Sequence, residues 1–153
     1  MKLWRLTRVP FTALDGKGAL DKGTRYASPG RSVVSLASEA GLAVLVALRY
    51  QPPDFSEHPD DLVLGWTETD AMPDRVPAGD DDAIRAFVGQ WLDERRSLLA
   101  AVQSRVLPEA DVILMNPMHP DAARVPPLVT RPFSFAECLH LPPMLASYSG
   151  ESA

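Results

Sequence analysis

Proline sets the narrowest limits on how this chain can fold. Fifteen of its 153 residues are proline, about twice the average usage of about 5%. Each one removes a backbone donor and stops or kinks a helix that meets it. They are scattered from Pro10 onward, which argues for short elements joined by many loops and against a helical bundle. The length suits one domain with a substantial core. With 46% hydrophobic and 23% charged residues, the composition is that of an ordinary soluble globular protein.

Charge and cysteine usage narrow the function classes. A net charge of −5 and a pI near 5.1 disfavour a broad nucleic-acid-binding face. A phosphate-bearing ligand would have to be met by a local cationic cluster, not by the overall field. The single cysteine, Cys138, excludes an intramolecular disulfide and fits a reducing compartment. Nothing around it has metal-ligand spacing. No apolar run of about 18 residues is available to span a membrane, and the N-terminal MKLWRLTRVPF lacks a secretory apolar region. A cytoplasmic protein is expected, with no direct contact with nucleic acid or membrane.

In chain order, Leu3–Arg8 alternates like a strand, with Trp4 toward the core and Arg5 the other way. Residues 15–31 read as a long glycine-rich loop, a kind of segment that is often functional. Ser32–Leu36 reads as a second strand. A helix follows to Leu48, capped by Ser38 and apolar on most sides, hence expected to be buried. Leu62–Thr67 is a third strand, and 68–82 an acidic solvated loop. Asp81 or Asp82 can cap a helix whose apolar positions Ile84, Phe87, Val88 and Trp91 keep a 3.6-residue period. A turn or strand follows at 97–102, and strand pieces at Asp111–Met115 and within 125–135. The expected product is a compact mixed α+β domain over residues 1–141 with a weakly ordered tail at 142–153.

The stretch from Gly23 to Tyr50 carries the most chemistry. An arginine in a Gly/Ser/Pro loop, then a strand, then a helix can place a fixed cation and several side chains around one anionic ligand. Arg25 in that loop either clamps a phosphate with its planar fork or is an ordinary surface arginine. Ser104 either hydrogen-bonds a ligand or is a turn serine. His119, between prolines, reads as a structural histidine satisfying loop carbonyls, and His58 as a solvated side chain. No phosphate-binding P-loop, dinucleotide fingerprint, nucleophile elbow or metal cluster appears.

Several of these segments together resemble the RES-domain family, the toxin half of bacterial RES–Xre toxin–antitoxin modules. They are Trp4-Arg5, Gly23-Thr24-Arg25-Tyr26 with Pro29-Gly30, and Val33-Val34 with Leu42-Ala43-Val44-Leu45. Further on come Gln103-Ser104, Asn116-Pro117 with His119-Pro120, and Pro132-Phe133-Ser134-Phe135. The resemblance spans residues 3–140. It implies a fold like that of ADP-ribosyltransferase toxins and NAD as substrate, its nicotinamide–ribose bond cleaved by water, by phosphate or by transfer of ADP-ribose to a protein. It also implies neutralisation by an Xre-type helix-turn-helix antitoxin covering the NAD cleft. Carried over, Arg25 holds the phosphates, Ser104 is a late polar contact, and Tyr26 and Arg5 join them in binding NAD. The family's active-site tyrosine falls on Ser35 and its glutamate on Val46, and Glu39 lies two helical turns too early to replace it. The resemblance therefore implies a toxin weakened at two catalytic positions. The alternative is a degenerate RES domain that binds a nucleotide or a protein without turnover.

Overall fold

A computed structural model describes residues 1–139. Seven strands form one sheet in the order β4-β5-β6-β2-β1-β3-β7. They are β1 (Lys2–Arg8), β2 (Val34–Ala37), β3 (Leu62–Glu68), β4 (Asp74–Arg75), β5 (Leu99–Gln103), β6 (Asp111–Met115) and β7 (Val129–Pro132). All neighbours are antiparallel except β4 and β5. β1 and β3 pair along their full length, from Lys2 opposite Glu68 to Arg8 opposite Leu62. β2 meets β1 only at Trp4–Ala37 but pairs fully with β6, from Val34–Met115 to Ala37–Val112. The mixed α+β domain expected from the sequence is the fold that forms.

Strand side chains alternate between the two faces of the sheet, which makes two cores. On one face Ala37, Leu64, Val102, Val112 and Leu114 pack with Leu42 and Ala43 of α2 (Ala40–Leu48) and with Ile84, Val88 and Trp91 of α3 (Asp81–Glu94). On the other, Leu3, Val34, Leu36, Leu99, Ile113 and Met115 pack together. α3 forms where its 3.6-residue period predicts. Its cap is Asp80, one residue earlier than expected, whose carboxylate accepts the Ala83 N–H at 2.8 Å.

Several local expectations are corrected. The loop at 15–31 contains a short helix, α1 (Lys17–Lys22), bounded by Gly16 and Gly23, both at positive φ. The acidic loop at 68–82 contains β4 and the buried Val76, because Arg75 reaches β6 while Val76 fills the core. α2 is not buried on most sides. Only Leu42 and Ala43 are, while Leu45 and Leu48 are 39% and 41% exposed, since the sheet covers one side of this helix. Ser38 does not cap α2, because its hydroxyl accepts the Asp111 N–H at 3.0 Å; Glu39 takes the cap position. His58 is half-buried between the Phe55 and Phe135 rings with Nε2 2.7 Å from the Pro52 carbonyl oxygen. His119 serves backbone N–H, not carbonyls: its Nδ1 accepts from Asp121. The expected tail at 142–153 lies outside the described residues. No helix among those described is long and apolar enough to cross a membrane.

Asp111 ties the edge of the sheet together. Its carboxylate accepts two bonds from Arg75, at 2.7 and 2.8 Å, and these hold the Asp111 carboxyl below its ordinary range. A depressed folded-state pKa contributes stability above the unfolded value that is lost as pH falls through the folded one. Arg75 is largely exposed, so the contribution is modest. Asp111→Asn is expected to cost no more than about 1 kcal/mol at pH 7. In urea unfolding the gap from wild type should close as pH drops below about 4. A gap independent of pH would refute this role.

Candidate functional site

Five segments converge on one cavity of about 430 Å³. The loop after α1 supplies Gly23, Thr24, Arg25 and Tyr26. β2 supplies Ser35, and α2 with its C-terminal extension supplies Val46, Arg49 and Tyr50. The turn after β5 supplies Ser104, Arg105 and Val106, and β6 contributes Val112. Ser35, between Val34 and Leu36, has the opposite parity and so points to the α2 side of the sheet. Val46 and Arg49 are three residues apart, and Tyr50 follows in the turn that ends the helix, so the three reach the same cavity.

The arginine loop is built by local bonds and fastened to α3. The Thr24 hydroxyl accepts the N–H groups of Tyr26 and Ala27 at 3.1 Å each, a tight turn that projects Arg25. Arg85 of α3 donates to the Arg25 carbonyl oxygen at 2.9 Å. Arg31 forks onto Asp93 at 2.6 and 3.1 Å and also donates to the Gly89 carbonyl oxygen. Gly23 starts the turn at φ 73°, ψ 174°, a region essentially restricted to glycine. A Cβ there would lie 2.8 Å from Pro29 Cδ and 2.9 Å from Pro29 N. Gly23→Ala is expected to destabilise the fold by about 2 kcal/mol or more. That should lower the thermal midpoint by about 5 °C, and a midpoint within a degree of wild type would refute the assignment.

Ser104 is buried, and its hydroxyl oxygen accepts the Leu107 N–H at 3.2 Å, which leaves its own proton to donate. Asp81, at the start of α3, lies 3.5 Å from Arg25 Nε and hydrogen-bonds Arg105, so one carboxylate serves two guanidinium groups. Burial pushes the Tyr26 phenol up, while the Arg25 and Arg105 charges pull it back. Among the described residues three arginines line the cavity, and no carboxylate does. A chain of net charge −5 thus carries a local cationic pocket with two tyrosines, an arrangement suited to a phosphate-bearing ligand with a planar group.

The structure brings together Arg25, Tyr26, Ser35, Val46 and Ser104, and it separates Arg5 from them. Arg5 is strongly desolvated, which lowers its pKa. It lines a different cavity, of about 440 Å³, with Asp15 as the nearest acidic group acting on it. The physical reason is parity: Trp4 and Leu6 of β1 pack on the α2 side of the sheet, so Arg5 between them points away. Arg49, Tyr50, Arg105 and Asp81 were not expected from the sequence. The first two follow from helical spacing after Val46, and Arg105 from adjacency to Ser104. No sequence signal pairs Asp81 with them. A larger cavity of about 670 Å³ beyond Ser104 is lined by Arg75, which Asp111 already engages.

Asn116 of the Asn-Pro-x-His-Pro segment is structural. It is buried, donates to the Leu92 carbonyl oxygen at 3.1 Å and accepts the Met118 N–H at 3.0 Å, joining the end of β6 to the end of α3. Among the described residues no cluster of His, Cys, Asp or Glu could hold a metal ion.

Comparison with known proteins gives a consistent set of likenesses. The RES domain family model matches residues 2–136. A Pseudomonas putida protein named Toxin Res is 32% identical over 131 residues, covering 80% of this chain and 88% of the relative. The Prs ADP-ribosylating toxin of a Sphingobium species is 35% identical over 125 residues, covering 71% and 75%. A crystal structure of the M. tuberculosis MbcT-MbcA toxin-antitoxin complex contains a chain that matches with a TM-score of 0.68 at 14% identity. It covers 89% of this chain and 85% of that one. At that identity the likeness is one of fold.

Proposed function

The chain belongs to the RES domain family, and from that membership we propose that it is a cytoplasmic RES-type toxin that binds NAD in the Arg25 cavity and turns it over slowly. The observation that carries this reading is convergence. Arg25, Ser35, Val46 and Ser104, picked out by their positions relative to family motifs, line one cavity although they come from four separate elements. Two relatives bear names that speak of toxins, one of them ADP-ribosylating.

In this reading Arg25 and its neighbours hold the pyrophosphate by charge-assisted hydrogen bonds. Tyr26 or Tyr50 offers a planar face to the nicotinamide side. The nicotinamide–ribose bond breaks with positive charge developing on the ribose, and the ADP-ribose passes to phosphate, water or a protein. Slow turnover follows from the wall that should stabilise that charge. The position of the family's glutamate is Val46, that of its tyrosine is Ser35, and no acid lines the cavity among the described residues. One missing electrostatic stabiliser costs on the order of 10²-fold in rate. The same observation favours a second reading, a domain that binds NAD without turning it over. An Xre-type helix-turn-helix antitoxin is the proposed partner, supported by the fold match to a chain of a toxin-antitoxin complex.

NAD consumption by the purified protein, with and without phosphate, tests the proposal beside a Val46→Glu variant. We expect slow consumption by wild type and at least a tenfold rise, as an order of magnitude, in the variant. Binding without turnover in wild type, with turnover restored by Val46→Glu, would select the second reading. If neither protein binds or consumes NAD, the functional reading fails although the fold stands.

A further inference from the structure

We propose that Arg105 is a second phosphate-holding residue of the cavity and that Asp81 is a built-in counter-ion, which an anionic ligand displaces from both Arg105 and Arg25. The inference rests on the reading of the cavity as a nucleotide site and assigns two residues that the family motifs do not.

The geometry is specific. Arg25 and Arg105 come from different walls, the glycine-rich loop and the turn after β5, yet both reach the same Asp81 oxygen, Oδ1. Arg105 hydrogen-bonds it, while Arg25 Nε at 3.5 Å is held mainly by charge. Two guanidinium groups drawn to one oxygen lie close enough to share a diphosphate, which offers each its own set of acceptors. Asp81 provides a single carboxylate for five-donor forks on both sides, so most of their hydrogen-bonding capacity is unmet by it. Asp81 and Arg105 are 40% and 49% exposed. Exposed pairs of this kind are weak, so a multiply charged ligand can replace Asp81 at small cost. Tyr26 feels Arg25, Arg105, Tyr50 and Asp81 together, which places one aromatic ring beside the whole exchange.

Titration of inorganic pyrophosphate and ADP-ribose into wild type, Asp81→Asn, Asp82→Asn and Arg105→Ala at one ionic strength tests this, with thermal midpoints measured alongside. Asp81→Asn keeps the shape and the Asp80 cap while removing the competing charge, and should tighten both ligands about threefold to tenfold. Asp82→Asn removes the same charge one residue away, where the carboxylate makes no ion pair among the described residues, and should change affinity less than about twofold. Arg105→Ala should weaken both ligands about tenfold or more. Weaker or unchanged binding by Asp81→Asn would overturn the counter-ion role, since a carboxylate that merely positions Arg25 must lose affinity when neutralised. Equal gains from Asp81→Asn and Asp82→Asn would reduce the effect to the general field and also overturn it. Pyrophosphate binding with this pattern, but no ADP-ribose binding, would uphold the inference while refuting the nucleotide reading. No binding of either anion by any variant would refute both.

Discussion

Replacing Arg25 by alanine is expected to weaken NAD or ADP-ribose binding about a hundredfold or more while leaving the fold intact. A hydrogen bond to a charged group contributes about 1.5–3 kcal/mol, and the arginine fork can make two to a phosphate. The loss is deepened because Asp81, relieved of Arg25, still competes with the ligand for Arg105. The fold should survive because the loop does not depend on this side chain. Arg85 bonds the backbone carbonyl oxygen of Arg25, and the turn is held by the Thr24 hydroxyl. Arg25→Lys keeps the charge but not the planar fork, and should recover only part of the affinity. Calorimetric titration against an unchanged thermal midpoint is the measurement. Wild-type affinity in Arg25→Ala would sink the assignment of this cavity.

The second large effect is structural. Trp91 of α3 is fully buried, and its indole N–H donates to the Ser97 hydroxyl at 2.9 Å. That hydroxyl lies 2.8 Å from Asp74 Oδ2 and 3.0 Å from the Leu99 carbonyl oxygen, so the indole completes a network joining α3, β4 and β5. Trp91→Ala is expected to cost about 3–5 kcal/mol, a large share of a domain's usual 5–15 kcal/mol. Trp91→Phe, which keeps one aromatic ring but loses the N–H and part of the volume, should cost less than Trp91→Ala. Urea unfolding of the three proteins is the measurement, and a loss below about 1 kcal/mol in the alanine variant would contradict the packing described. Because α3 fastens the arginine loop, ligand affinity should fall with stability in this variant, unlike in Arg25→Ala.

The parts of this protein legible in its sequence are those fixed by a local pattern. The alternation of β1 and the 3.6-residue period of α3 predicted both elements, and the buried run at Asp111–Met115 forms β6 as expected. Boundaries slipped where a side chain had another use, as with Ser38, which binds the Asp111 amide and leaves the cap to Glu39. α1 is hidden by Gly16, Gly18 and Gly23 in and beside it, and β4 is a two-residue strand between Pro73 and Pro77 that its pairing with β5 holds in place. The burial of α2 was misjudged because its composition is apolar all round, and composition does not say how many sides a neighbour covers.

The cavity was readable only through motif order, which aligned Ser35 and Val46 with Arg25 across the chain. Parity along β1 was already enough to set Arg5 apart from Trp4, but only the sheet's layering shows that this removes Arg5 from the cavity. Asp81 was read as a helix cap. Its actual place between two arginines depends on how α3 docks, which no local pattern encodes.

The strand order bears on when the cavity can form as the chain is made. β2, which carries one wall of the cavity, has its full partner in β6, about seventy residues later in synthesis. Ser104 and Arg105 also belong to that late segment. A growing chain on the ribosome therefore displays the arginine loop long before it owns a closed pocket. The cavity can close only after β6 has been made, so its walls are assembled late in the synthesis of the domain.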